Sequence, residues 1–210
     1  MKRAATVTAP VSVVLLSGGV DSAVCASIAR RSGPTLALHV SYGQDSSDRE
    51  IECARMIAGR VGAEVVTADL SSLRMRQTGG DGVSTHYVPG RNSIMLSMAL
   101  SLAESRGCSS VFIGPTAEDR AGFPDCRPEF YAAWGDVVAR GMASAVEIKT
   151  PLISLSKAEV VTLGNSMGVD FSATWSCYKR GPLPCGACGA CEVRRRGFCD
   201  AGVRDPLEEK

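Results

Sequence analysis

The hexapeptide Ser17-Gly18-Gly19-Val20-Asp21-Ser22 restricts the fold of this chain more than any other feature. It follows the apolar run Val11 to Leu16, and behind its two glycines Val20, Val24 and Ile28 recur every four residues as far as Gly33-Pro34. An extended run, two glycines and then a helical period read as strand, tight turn and helix. At such a junction backbone N–H groups and the helix N-terminus converge on an anion. The glycines permit close approach, Ser17 and Ser22 add hydroxyl donors, and Asp21 suits a magnesium ion bridging phosphate oxygens. The structural alternative is a Gly-Gly turn in which Asp21 and Ser22 cap a helix. No lysine lies inside the hexapeptide, unlike the P-loop of ATPases.

The rest of the chain alternates between the two periodicities. Thr35 to Tyr42 and Glu64 to Leu70 read as strands, and Val111 to Gly114 as a shorter one. Between them Ser47 and Glu50 have capping-box spacing ahead of the face Ile51, Ala54, Ala58 and Val61. Asn92 to Ala103, Pro128 to Gly141 and Ser156 to Met167 read as helices. Alternation of this kind implies an α/β, Rossmann-like parallel sheet with helices on both faces and ligands at the C-terminal strand ends. Residues 71 to 90 are polar, Gly-rich and without period, as in a lid or binding loop, and are expected to move without ligand.

Composition sets bounds. With 210 residues, 45% hydrophobic and 21% charged, one core is the expectation. Lys and Arg number 23 against 22 Asp and Glu, so no strong field points to nucleic acid or a membrane surface. No apolar run approaches the roughly 20 residues of a bilayer span, and Met1-Lys2-Arg3 does not open a secretory signal, so a cytoplasmic location is expected. The nine cysteines, an odd number, fit a reduced compartment and a metal site better than a disulfide framework.

Four of them, Cys177, Cys185, Cys188 and Cys191, fall in one short segment in which Gly186 and Gly189 allow tight wrapping around a tetrahedral ion. A structural Zn²⁺ is the expected occupant, with an iron-sulfur cluster the open alternative. Lys179, Arg180, Arg194, Arg195 and Arg196 are available to offset the charge of four thiolates. The expected division is a nucleotide-binding α/β domain over residues 1–173 with a zinc-held segment, 174–210, packed on it. Cys25, Cys53 and Cys108 read as buried hydrophobes and Cys199 as incidental.

The hexapeptide resembles the PP-loop of the ATP-pyrophosphatase superfamily, whose fold is adenine nucleotide alpha hydrolase-like and whose members make adenylated substrates. That resemblance makes Leu16, Ser17, Gly18, Gly19, Val20, Asp21 and Ser22 the expected ATP-binding residues. Val88-Pro89-Gly90-Arg91-Asn92, Gly122 to Phe130, and Thr174-Trp175-Ser176-Cys177-Tyr178 carry the likeness further. Together they are similar to the 7-cyano-7-deazaguanine synthase family, from about Val11 to Pro206. The resemblance implies homodimers that take 7-carboxy-7-deazaguanine, ammonia and ATP to the nitrile, a queuosine precursor.

For such chemistry the protein must position ATP, screen phosphates and orient the acid, without a covalent nucleophile. Asp21 and Lys157 are the expected catalytic pair, because Ser156-x-x-Glu159 caps a helix on which Lys157 opposes the dipole unless an anion is close. Arg91, Asn92, Asp119 and Asp125 are the expected substrate contacts. Alternatively Asp125 pairs with Arg127 and Asn92 caps a helix. His39 and His86 read as structural or surface residues, and Tyr131 and Trp134 as core. Three departures stand against the family pattern: Tyr42-Gly43-Gln44 continues Asp45-Ser46-Ser47 where Arg-His is usual, Arg120 replaces a common aromatic, and Thr116 a common Asn. These leave open another acid, a protein partner, or a ligase that stops at the amide.

Overall fold

The computed structural model describes residues 11–80 and 82–208. The Met1-Lys2-Arg3 reading lies outside them. A five-stranded, all-parallel sheet has the order β3-β2-β1-β4-β5, formed by β1 (Ser12–Leu15), β2 (Thr35–Ser41), β3 (Glu64–Asp69), β4 (Ser110–Phe112) and β5 (Glu147–Lys149). The helices are α1 (Val20–Arg31), α2 (Ser47–Val61), α3 (Arg91–Ser105), the single turn α4 (Asp119–Gly122), α5 (Pro128–Gly141), α6 (Lys157–Ser166) and α7 (Gly189–Asp200).

Strand alternation divides the core. Val14, Leu16, Ala37 and Phe112 face a cluster with Val24 of α1, Ile57 of α2, Val160 of α6 and Phe198 of α7. Val13, Leu15, Leu38 and Val111 face the opposite layer, with Leu96 and Leu100 of α3 and Tyr131 and Val138 of α5. Fully buried side chains such as Val13, Val14 and Leu96 each contribute about 1.5–3 kcal/mol of transfer free energy. The central strands are apolar on both faces because both faces are covered. β3, at the sheet edge, carries exposed Glu64, Thr67 and Asp69.

Since β1 lies between β2 and β4, chain direction across the sheet reverses there, opening a crevice at the C-terminal ends of β1 and β4. The hexapeptide leaves β1 at that crevice, and Gly114 to Asp119 leave β4 beside it. His39 is buried in β2 and its Nδ1 lies 2.9 Å from the Leu16 carbonyl, fastening β2 to the end of β1.

Some local expectations change. Ser47 does not form a capping box: the N-cap of α2 is Ser46, whose hydroxyl donates to Glu50 Oε1 at 2.6 Å, while Gln44 Nε2 donates to Glu50 Oε2 at 2.7 Å. With Glu50 turned toward this loop, the buried face of α2 is Cys53, Ala54, Ile57 and Ala58. β5 and α7 add to the elements read from sequence. The first is three half-exposed residues; the second is hidden among cysteines, glycines and arginines. Cys25, Cys53 and Cys108 are buried and Cys199 exposed. Among the described residues no helix is long and apolar enough to cross a membrane.

Candidate active site

After β1 the chain turns at Gly18, whose φ is +91° and where a Cβ would stand 2.4 Å from the Glu50 carbonyl oxygen. Only glycine combines that conformation with that approach. The serines organise the loop's own backbone: Gly18 N–H donates to Ser22 Oγ at 3.2 Å and Gly19 N–H to Ser17 Oγ at 3.3 Å, while Ser22 Oγ donates to the Gly19 carbonyl at 3.0 Å. Gly19 is the N-cap of α1 and supplies no side-chain cap, so neither Asp21 nor Ser22 caps the helix. The first α1 amide taken up within the helix is that of Ala23, by the Gly19 carbonyl at 3.0 Å. The amides of Val20 to Ser22 therefore lack intrahelical partners and present the positive end of the helix to the crevice.

Asp21 points from this turn to Lys157, the first residue of α6. The expected capping box is present, with Ser156 Oγ accepting from Glu159 N–H at 3.3 Å and Glu159 Oε2 accepting from Ser156 N–H at 2.7 Å. Lys157 N–H donates to Glu118 Oε1 at 2.7 Å, and its Nζ lies 2.5 Å from Asp21 Oδ1. A Cβ on Gly197 would stand 2.2 Å from Lys157 Cγ, so the glycine of α7 lets the two helices close on the lysine stem. Burial pushes the Asp21 carboxyl above the usual carboxylate range; Lys157 opposes the shift, and Asp119 and Glu118 add to it.

Across the crevice, Thr116 holds Asp119 through two bonds of 2.8 Å to Oδ2, from its N–H and its hydroxyl. Asn92 is buried and donates from Nδ2 to the Asp125 carbonyl at 3.0 Å, while Asp125 Oδ2 accepts the Asn92 N–H at 3.3 Å at the head of α3. Tyr131, a core residue, donates from its hydroxyl to the same carbonyl at 3.1 Å. The alternative Asp125–Arg127 pair does not form: Arg127 Nε donates to the Arg120 carbonyl, and Arg120 in turn to that of Ile153. Asp125 Oδ1 is buried without a partner among the described residues. Arg91 donates to Tyr42 Oη at 3.3 Å with its guanidinium 5.7 Å from the Tyr42 ring centre. Burial pushes the neighbouring Cys126 thiol up to about 12, with Asp119 and Asp125 adding to the shift, so it stays protonated.

The sulfurs of Cys177, Cys185, Cys188 and Cys191 all lie within 4.8 Å of one another, an arrangement that can hold a metal ion. Separations of 4.0, 4.0 and 3.5 Å for three of the pairs bracket the roughly 3.8 Å edge of a tetrahedron with metal–sulfur bonds of about 2.3 Å. Backbone amides of Lys179 and Cys185 donate to Cys177 Sγ at 3.4 and 3.3 Å. Two of the flanking cations expected to offset the thiolates are engaged elsewhere: Arg194 in a buried bond to Asp205 (2.7 Å), Arg180 with Asp48 (3.4 Å).

Sequence reasoning missed how this segment reaches the Gly-Gly loop. Trp175 N–H donates to the Gly18 carbonyl at 2.8 Å, and the Arg49 guanidinium stands 4.9 Å from the centre of the Trp175 ring. Trp175 belonged to a recognisable motif; Arg49, on a polar helix face, carried no signal. Two surface hollows of about 260 and 280 Å³ lie away from the hexapeptide, one beside the cysteine turn and the other among α1, α2 and residues 167–170.

A parallel sheet in this order, with a Gly-Gly loop at its switch point and a four-thiol turn bonded to that loop, defines an enzyme of the PP-loop, ATP-using class. The fold is also that of the ammonia-dependent NAD synthetase of Campylobacter jejuni, with a TM-score of 0.50 and 18% identity over 80% of this chain and 68% of that one. Residues 11–202 match the family described as queuosine biosynthesis protein QueC, and the chain belongs to that family. It is 39% identical over 215 residues to the 7-cyano-7-deazaguanine synthase of Methanospirillum hungatei, covering 93% of this chain and 98% of that one. It is 43% identical over 221 residues to the synthase of the same name from Solidesulfovibrio magneticus, covering 93% and 94%.

Proposed function

We propose that this chain converts 7-carboxy-7-deazaguanine and ammonia, with ATP, into 7-cyano-7-deazaguanine through adenylated acid and amide intermediates. The observation that carries this reading is the Asp21–Lys157 contact at the mouth of the Gly-Gly loop, facing Asp119 across the β1/β4 crevice. In this reading Leu16 to Ser22 bind ATP, with the α1 amides on the phosphates. Lys157, held by Asp21, neutralises charge as pyrophosphate leaves the α-phosphate. Asp21 is 27% exposed and a carboxylate has acceptor sites beyond those one ammonium fills, so it also fits a magnesium ion accompanying ATP.

The acid lies on the other side. Asp119 and the unpartnered Asp125 Oδ1 accept from the amino and ring N–H groups, Arg91 faces its carboxylate, and Asn92 holds the Asp125 loop in place. Carboxylate oxygen attacks the α-phosphate and pyrophosphate leaves; ammonia then adds to the acyl carbon and AMP leaves, giving the amide. Adenylation of the amide oxygen releases pyrophosphate and one N–H proton, and loss of AMP with the second proton gives the nitrile. The high pKa of Cys126 supports a route without a thiolate nucleophile.

The sulfur spacing suits a single Zn²⁺ better than an iron-sulfur cluster, whose several irons require more widely separated thiolates. Such an ion supplies a structural cross-link, and we assign residues 174–210 as the segment it holds against residues 1–173. Homodimeric assembly and free ammonia as the nitrogen source belong to the same proposal. The Asp45-Ser46-Ser47 departure, in which Ser46 bonds Glu50, keeps a related acid as the second reading. Turnover with carboxylate-¹⁸O substrate tests the chemistry: adenylation leaves ¹⁸O in AMP, whereas formation of ADP and phosphate would contradict it.

A further inference from the structure

Among the described residues, four buried side-chain polar atoms have no hydrogen-bond partner: Arg49 Nε, His86 Nδ1, Arg120 Nε and Asp125 Oδ1. Both arginines engage another nitrogen, with Glu52 and the Ile153 carbonyl. His86 and Asp125 are different, because a buried imidazole nitrogen or carboxylate oxygen without a partner costs about 1–3 kcal/mol or more unless a ligand supplies one.

His86 is held in place by its own loop and by a neighbouring ring. Its loop is cross-bonded between Thr78 N–H and the Tyr87 carbonyl at 2.9 Å, and is fastened to α4 by Ser84 N–H donating to the Gly122 carbonyl at 2.9 Å. Gly79 makes this closure possible: a Cβ there would stand 2.2 Å from the Ser84 carbonyl oxygen. The imidazole lies on the ring of Tyr178, with centres 3.9 Å apart and planes at 34°. Tyr178 directly follows Cys177, so the platform is fixed by the cysteine turn, and it is near enough to Asp119, Arg91 and Tyr42 to feel their charges. The stack therefore sets His86 beside a tyrosine that neighbours Arg91, and Arg91 in turn neighbours Asp125.

We propose that His86 is a specificity-determining residue of the acid pocket, its Nδ1 hydrogen-bonding the planar heterocyclic acid while the imidazole remains stacked on Tyr178. Asp125 Oδ1 accepts from the ring N–H groups, so the two buried unpartnered atoms find their partners in one ligand. This inference rests on the substrate reading above.

The test is calorimetric titration of 7-carboxy-7-deazaguanine and, separately, of ATP into the full chain and its His86→Phe, His86→Asn and His86→Ala variants, with kcat and KM for the acid. His86→Phe keeps a ring on Tyr178 and removes Nδ1, and is expected to raise Kd and KM for the acid by roughly tenfold with ATP affinity unchanged. His86→Asn, which places an amide where Nδ1 stood, is expected to recover part of that loss, and His86→Ala to lose most. Wild-type affinity for the acid in His86→Phe would overturn the proposal, as would equal losses for acid and ATP, the mark of a collapsed loop. Failure of the unmodified chain to bind the acid would sink the substrate reading together with this inference.

Discussion

Lys157 Nζ sits 2.5 Å from the Asp21 carboxylate, joining residues 136 positions apart and tying the first turn of α6 to the first turn of α1. A lysine at a helix N-terminus is electrostatically misplaced unless an anion stands by it; here the anion is Asp21, the one acidic side chain of the Gly-Gly loop. Lys157→Met should therefore slow AMP formation by about 10²- to 10³-fold. The lysine side chain is only 13% and the aspartate 27% exposed, so breaking the pair should lower the melting temperature as well, and AMP formation is compared at a temperature where both chains are folded. Asp21→Asn should give a comparable loss. A rate within threefold of the unmodified chain in AMP release assays would remove Lys157 from the chemistry.

Chelation tests the cysteine turn. Trp175 bonds the Gly18 carbonyl two residues before Cys177, so loss of the metal should loosen the phosphate loop as well as the C-terminal segment. Cys188→Ser or chelator treatment should lower the melting temperature by at least about 10 °C, several kcal/mol for a chain of this size, and abolish ATP binding. Cys199→Ser, altering an exposed thiol, should match the unmodified chain. Metal analysis should return one zinc per chain.

The phosphate loop, the cysteine turn and the alternating layers were legible in the sequence because each is written locally, in glycine spacing, thiol spacing or period. What could not be read depends on partners distant in sequence. Asn92 bonds Asp125, Arg194 bonds Asp205, and Arg49 stacks on Trp175; in each case the residue type was visible and its direction was not. β5 was too short and half-exposed for period to mark it. α7 was masked by its own cysteines, glycines and arginines, whose helical order shows only once Phe198 meets Phe171 at 5.1 Å. The Ser47 capping box failed because Ser46 and Gln44 compete for Glu50.

Arg194 and Asp205 form a doubly bonded buried pair at 2.7 and 2.9 Å, 5% and 2% exposed, with Arg194 also donating to Thr174 Oγ1 at 2.8 Å. Removing one partner leaves a buried charge. Asp205→Ala should cost about 3–5 kcal/mol in urea unfolding, and Arg194→Met should cost as much, while the double variant should cost less than the sum.

Acid should act through His39. Burial lowers its imidazole below the ordinary value near 6.5, so below that pH the unfolded chain takes up a proton that the folded chain refuses. Stability is then lost as pH falls through about 6.5 and is flat above it. Between pH 7.5 and 5.5 the unmodified chain should lose stability that a His39→Asn variant, though less stable throughout, does not lose. Parallel urea midpoints for the two chains across that range would contradict this.

The central claim is met most directly by mass spectrometry of products from 7-carboxy-7-deazaguanine incubated with the chain, ATP, magnesium and ammonium. The account predicts AMP and 7-cyano-7-deazaguanine, with the amide passing through as an intermediate. An unchanged acid with no AMP released, while ATP still binds, would contradict it and direct the Gly-Gly loop to another substrate.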